Sequence, residues 1–277
     1  MAGAVTVKGR ITRIASLVLQ PLSQVQVRLD PDKFAQEKDP GDLVYEVKSQ
    51  DILFEDDWII LINKPPGIPT EGTVVATRDS LHGAVLRYLT KKNLNPDSPP
   101  YLGLHHRLDK ETSGVILFTK DKGVNKAIHD MFLHHQAQKT YLALCVKAPG
   151  VRSSFTVENH LGRISPKSTA AKWGALAGGD WAKTDFQISE TIKNGYLIQA
   201  MPLTGRTHQI RVHLSGVGLP LWGDELYGGP MVVGETKIPR IMLHALKLTF
   251  PHPHTHEIMT IQAPLPPDFL ALLKKKQ

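Results

Sequence analysis

The order of apolar runs after about residue 50 constrains the fold most: strand-like runs recur and helical periods are few. Trp58-Ile59-Ile60-Leu61-Ile62 is continuously apolar and reads as a fully buried strand. Further strands are expected at Val115–Phe118, Lys139–Val146, Phe155–Glu158, Lys183–Ser189, Tyr196–Met201 and Ile241–Phe250. Ser80 caps one expected helix, with Leu81, Val85, Leu86 and Leu89 on one face. A second is expected from Gly123 to His135, with Ile128, Met131 and Phe132 inward. Strands outnumber βαβ alternations too heavily for a doubly wound fold. The pattern predicts an α+β domain on a large mixed, mostly antiparallel sheet flanked by helices and loops.

Residues 46–277 carry this domain, and residues 1–45 differ from it. Ala4 to Arg10 reads as a strand and a turn, Val25 to Leu29 alternates like another strand, and Pro31 to Asp42 resembles a linker. About 45 residues bury little core alone, so this part is expected to be a short β-rich appendage; it also faintly resembles the second half of a small RNA-binding domain, whose truncated form is the alternative.

The chain of 277 residues has a net charge of +7 and a pI near 9.4, which suits a polyanion partner and equally a protein kept soluble by its charge. One cysteine, Cys145, allows neither an internal disulfide nor a cysteine metal cage and is expected to pack in a strand. No apolar run reaches the length of a membrane helix and the start lacks a secretory apolar region, so the expected location is cytoplasmic, with no membrane partner.

Two polar stretches stand out. His106-Arg107-Leu108-Asp109-Lys110-Glu111-Thr112-Ser113-Gly114 sets one carboxylate in a loop before an apolar strand. Thr204-Gly205-Arg206-Thr207-His208-Gln209-Ile210-Arg211-Val212-His213 opens a helix expected near Thr207, with Arg211 one turn in. A lone acid with a remote arginine suits nucleophilic carboxylate chemistry. Each residue also has a plain reading: Asp109 bonding the Thr112–Ser113 turn, Arg211 solvated on a helix, Tyr141 packing in a strand.

The loop HRLDKETSG resembles the signature of the RluA-like family of RNA pseudouridine synthases. Ile52 to Asp57 running into Ile62-Asn63-Lys64-Pro65-Pro66-Gly67, then Lys139-Thr140-Tyr141-Leu142-Ala143, and GRTHQIRVH agree in order and spacing. Weaker echoes follow in Gly223-Asp224-Glu225-Leu226-Tyr227-Gly228 and Leu243-His244-Ala245. The resemblance implies isomerisation of uridine in structured RNA, ribosomal or transfer. The reaction is redox-neutral and consumes nothing, so no cofactor is expected, nor a DNA partner, and a monomer is the default for an oligomeric state the sequence does not show. It implies that Asp109 attacks the ribose or the uracil ring, that Arg211 forms its salt bridge, and that Tyr141 stacks on the target base. That base must be flipped out, and Arg107 is placed to fill the vacated stack. Arg206 and His106 are expected at the RNA, and Lys64 either contacts phosphate or supports the loop.

Arg152, Arg163, Lys167 and Lys172, with Trp173 and Trp181, suit an RNA track and a solvated face equally. The histidine pairs and His252-Pro253-His254-Thr255-His256 lack zinc-ligand spacing, so no metal is expected and the last is read as a surface turn. Two other functions fit the chain less well. An RNA-binding protein or chaperone with the same fold would not need acid, aromatic and base together. A metal-dependent nucleic-acid hydrolase would need clustered ligands.

Overall fold

The computed structural model describes residues 3–7, 10–12, 20–29, 44–72, 79–93, 95, 97–166 and 171–274. The chain divides into two units, Met1–Val44 with Gly72–Asp79, and Tyr45–Glu71 with Ser80–Gln277. The first contains an antiparallel sheet of β1 (Gly3–Val7), β2 (Arg10–Thr12) and β3 (Val25–Leu29), in the order β2-β1-β3. The expected linker, Pro31 to Asp42, lies outside the described residues, as does Lys167.

The second unit is built on an eleven-stranded sheet. Its strands are β4 (Ile52–Glu55), β5 (Ile59–Lys64), β6 (Gly103–Leu104), β7 (Ser113–Thr119), β8 (Gln138–Val146), β9 (Ser154–Arg163), β10 (Trp173–Ala175), β11 (Asp180–Ile192) and β12 (Gly195–Pro202). A short hairpin, β13 (Val232–Val233) and β14 (Thr236–Lys237), stands apart, and β15 (Leu243–Pro251) with β16 (Ile258–Gln262) completes the sheet. The order is β10-β9-β11-β12-β8-β15-β7-β5-β4, with β16 on β15 and β6 on β7. Only β15 and β7 run parallel among these pairs, through His244–Ser113 and Ala245–Gly114. The mixed, mostly antiparallel sheet predicted from sequence is therefore present.

Helices α1 (Leu81–Lys92), α2 (Asn125–Leu133), α3 (Gln209–Gly216) and α4 (Pro267–Lys274) cover it. Ser80 caps α1 by accepting from Gly83 N at 3.1 Å. The second helix is shorter than predicted because Lys122–Val124 form a 3-10 turn. Ile59 to Ile62 are wholly buried in one core with Leu81 and Val85 of α1 and Ile128 and Met131 of α2.

Strand β8 separates two further cores because successive side chains leave opposite faces. Ala143 and Cys145 pack with Ile210 and Leu214 of α3, whereas Leu144 packs with Phe269 and Leu272 of α4. Phe269 is unexposed; truncating such a side chain to alanine costs about 3–5 kcal/mol. Tyr141, two residues before Ala143, lies on the α3 side.

The expected strands at Phe155–Glu158 and Lys183–Ser189 are longer than predicted, since β9 and β11 alternate buried or half-buried residues with exposed polar ones. The histidine-rich segment is a turn between β15 and β16, yet His252 is buried rather than at the surface. Its Nε2 lies 2.8 Å from Asp56 Oδ2, and His254 stacks on Trp58. Trp173 is likewise partly packed, against Val212 and Tyr227.

Candidate active site

The single parallel junction brings the site together. Ala245 of β15 pairs with Gly114 on one side and with Tyr141 on the other, so the loop before β7 meets β8 across one strand. Gly114 has φ of 116°, and a Cβ there would overlap the Ala245 carbonyl. Only glycine fits this approach.

The loop from Leu108 to Glu111 is clamped at every carbonyl. Leu108 O accepts from Thr70 Oγ1 at 2.8 Å, and Asp109 O from Thr112 N at 3.1 Å. Lys110 O accepts from Gly67 N and Lys64 Nζ, both at 2.9 Å. Glu111 O accepts from Arg240 Nη1 at 3.1 Å, and Arg240 is itself held by Asp268 of α4 through two hydrogen bonds.

Lys64 is the correction here. It is 0% exposed, and Nζ donates to Pro65 O, Ile68 O and Lys110 O, which uses all three protons of the ammonium. No donor is left for a phosphate, so it supports the loop. Burial pushes the ammonium down to about 7, against the pull of Glu111 and Asp109. His106 behaves similarly. Its Nε2 accepts from Leu117 N at 3.0 Å and its ring packs on Phe132, while burial pushes it down to about 3. It reaches the cleft wall as a neutral ring fastened to β7.

On the opposite wall, Gln209 shapes the turn into α3 with all four amide positions occupied. Its Oε1 accepts from Thr204 Oγ1 and Arg206 N, and its Nε2 donates to Lys183 O and Thr184 Oγ1. The helix begins two residues later than predicted because His208 takes left-handed backbone, φ 58°. With Ile210 and Leu214 in one core and Val212 in another, Arg211 is left facing the cleft.

Arg211 Nη1 donates to Asp109 Oδ2 at 3.0 Å. Its Nε and Nη2 donate to Asp224 at 2.7 and 2.9 Å, and the guanidinium lies over the Tyr227 ring at 4.9 Å. His208 Nε2 stands 3.7 Å from Asp109 Oδ2. Asp109 and Arg211, 102 positions apart in sequence, thus meet directly.

Between these walls lies a cleft of about 660 Å³, within the usual size of small-ligand sites. Asp109, Tyr141, Arg211, Arg107, Arg206 and His106 all line it. Burial and the charge of Asp109 push the Tyr141 phenol up, so it stays protonated at neutral pH. Arg107 is exposed at the rim, and Arg206 is anchored through Nε to Trp181 O at 3.0 Å. Lys139 adds a cation that the sequence reading left without a role. Its Nζ donates to Thr204 O at 2.7 Å, and burial, helped by Arg206, pushes it down to about 8. Among the described residues no group of three or more His, Cys, Asp or Glu side chains is placed to hold a metal ion.

Asp224, His208, Tyr227 and Gln209 were also missed as site residues. The echo at Gly223 to Gly228 was the available signal for Asp224 and Tyr227, but nothing in it marks Asp224 as fully buried.

Comparison with known proteins gives a consistent result. The family model for RNA pseudouridylate synthase matches residues 58–216. The chain is 32% identical over 280 residues to ribosomal large subunit pseudouridine synthase C of Pasteurella multocida (strain Pm70), covering 96% of this chain and 80% of that protein. It is 33% identical over 239 residues to the protein of that name from Escherichia coli (strain K12), covering 81% and 69%. Among solved structures, human RNA pseudouridylate synthase domain containing 4 superposes with a TM-score of 0.65 at 27% identity, covering 82% of this chain and 93% of that one. Human RNA pseudouridylate synthase domain containing 1 gives 0.62 at 26%, covering 80% and 87%.

Proposed function

The chain belongs to the RNA pseudouridylate synthase family and isomerises uridine in RNA to pseudouridine, and from that premise we propose that Asp109 is its nucleophile. The observation that carries the proposal is the Asp109–Arg211 hydrogen bond of 3.0 Å at the cleft. The net reaction breaks the C1′–N1 bond, forms C1′–C5 and moves the C5 proton to N1. It consumes no oxidant or co-reactant. Asp109 starts it by bonding to C1′ as uracil leaves with the electron pair, or to C6 as the pair moves into the ring.

The other roles follow from position. Arg211 holds the carboxylate in place at the cleft through a charge-assisted hydrogen bond. The Tyr141 ring offers a stacking surface for the flipped base. Unstacking that base costs roughly a few kcal/mol, and exposed Arg107 is available to occupy its place. Arg206 and Lys139 provide positive charge for phosphate on the α3 side, while Lys64 and His106 serve the loop.

The relatives named for the ribosomal large subunit support ribosomal RNA as the substrate, and their names as synthases weigh against a binding-only protein. Transfer RNA lacks that support. Among the described residues no helix is long and apolar enough to cross a membrane, and we read the protein as a cytoplasmic monomer with residues 1–45 as an appendage to the catalytic domain. Mapping pseudouridines in cellular RNA with and without the protein tests the substrate. Loss of signal at sites in large-subunit ribosomal RNA is expected; loss confined to transfer RNA contradicts it.

A further inference from the structure

His208 and Tyr227 have no part in the chemistry above, although His208 stands beside Asp109 and Tyr227 packs against both His208 and Arg211. Tyr227 is buried, and its hydroxyl lies 2.9 Å from Trp173 N and 2.9 Å from His208 Nδ1. A backbone N–H can only donate, so the hydroxyl accepts from Trp173 and its own proton is free for Nδ1. The phenol oxygen has a second lone pair for an Nδ1–H, but its own proton would then have no acceptor among the described residues, so the pairing that satisfies both groups makes Nδ1 the acceptor. A neutral imidazole carries one proton, which therefore sits on Nε2, the nitrogen 3.7 Å from Asp109 Oδ2.

The surroundings keep the ring neutral. Burial lowers its pKa, Arg211 and Arg107 add to that, and Asp109 and Asp224 oppose it. The backbone is also unusual, since a non-glycine residue at φ 58° is held there only by what surrounds it. That conformation delivers the ring to the carboxylate. Asp109 Oδ2 thus faces two donors, Arg211 Nη1 and His208 Nε2–H, while Oδ1 has no hydrogen-bond partner among the described residues.

We propose that Tyr227 and His208 act as positioning residues for the nucleophile: Tyr227 fixes the Nε2–H form of His208, which faces Asp109 Oδ2 and leaves Oδ1 to bond to the nucleoside. The proposal rests on Asp109 being the nucleophile. In the attack the Oδ1 lone pair forms the new bond, and the carboxylate's negative charge passes to the uracil.

Long-range proton–nitrogen NMR on the ¹⁵N-labelled full chain reads the His208 tautomer directly. The Nε2–H form is expected in the native protein and a mixture in Tyr227→Phe; an Nδ1–H form in the native protein overturns the proposal. Kinetics give the second arm. His208→Asn suits left-handed backbone yet has no donor at the Nε2 position, so kcat is expected to fall on the order of tenfold with KM little changed. His208→Gln carries an amide N–H close to that position and is expected to recover much of the loss. Full kcat in a folded His208→Asn defeats this inference alone, whereas an active Asp109→Asn defeats the nucleophile assignment beneath it.

Discussion

Arg211 joins two carboxylates of unlike setting: it gives two hydrogen bonds to the wholly buried Asp224 and one to Asp109 in the cleft. The buried pair fixes the plane of the guanidinium and turns Nη1 toward Asp109. Removing one partner of a buried ion pair leaves the other charge uncompensated, at a cost of about 3–5 kcal/mol. Asp224→Asn leaves Arg211 still paired with Asp109, so it is expected to lose less than that in denaturant unfolding and to lose activity as well. Arg211→Lys cannot make the two-armed contact and is expected to lower kcat without restoring it at high RNA concentration. Native stability in Asp224→Asn would show that the pair is not uniquely required.

The placement of Lys64 predicts a dissociation between RNA affinity and turnover. Each phosphate contact removed lowers the salt slope of RNA binding by about 0.7 for a single strand. Lys139→Ala and Arg206→Ala are expected to reduce the slope on that scale. Lys64→Met is expected to leave the slope alone, cost roughly 1–3 kcal/mol of stability through freed carbonyls, and lower kcat. Titrating binding against salt for the three variants decides the matter. A reduced slope in Lys64→Met would return that residue to the phosphate contacts.

Two buried histidines predict the acid limit of the fold. His213 lies between Thr184 Oγ1 and Asn159 Oδ1, and His244 Nδ1 is 2.9 Å from Ser113 Oγ; burial pushes both down to about 4. Their folded pKa values lie below that of an unfolded histidine, about 6.5. The stability they contribute is complete above about pH 6.5 and is lost as pH falls towards about 4, because only the unfolded chain takes up protons there. The loss for each approaches about 1.4 kcal/mol per pH unit. Urea unfolding across that range should show His213→Asn with a dependence shallower by one proton. An unchanged dependence would remove His213 from the account.

Much of the catalytic wall was legible because its parts are local. Asp109 lies in a polar loop before the apolar Val115 to Phe118, and Arg211 lies between the apolar Ile210 and Val212. What the sequence hides is depth. Lys64 and Arg107 are both cations in polar segments, yet one is wholly buried and the other exposed, and only the packing of β5 under the loop separates them. Asp224 looks like any loop aspartate until Arg211 is brought against it. Strands β9 and β11 outrun their predicted ends because Asn159, His160, Glu190 and Thr191 continue the alternation with polar side chains. Helix α4 was missed because eight residues beginning at Pro267 carry too short a periodic signal, although proline suits a first helical position.

Turnover of Asp109→Asn on an RNA substrate of the native enzyme tests the central claim most directly. The variant keeps the side-chain shape and an oxygen for Arg211, so the account predicts a folded protein that binds RNA but forms pseudouridine on the order of a thousandfold more slowly or less. Pseudouridine formed at close to the native rate would contradict it.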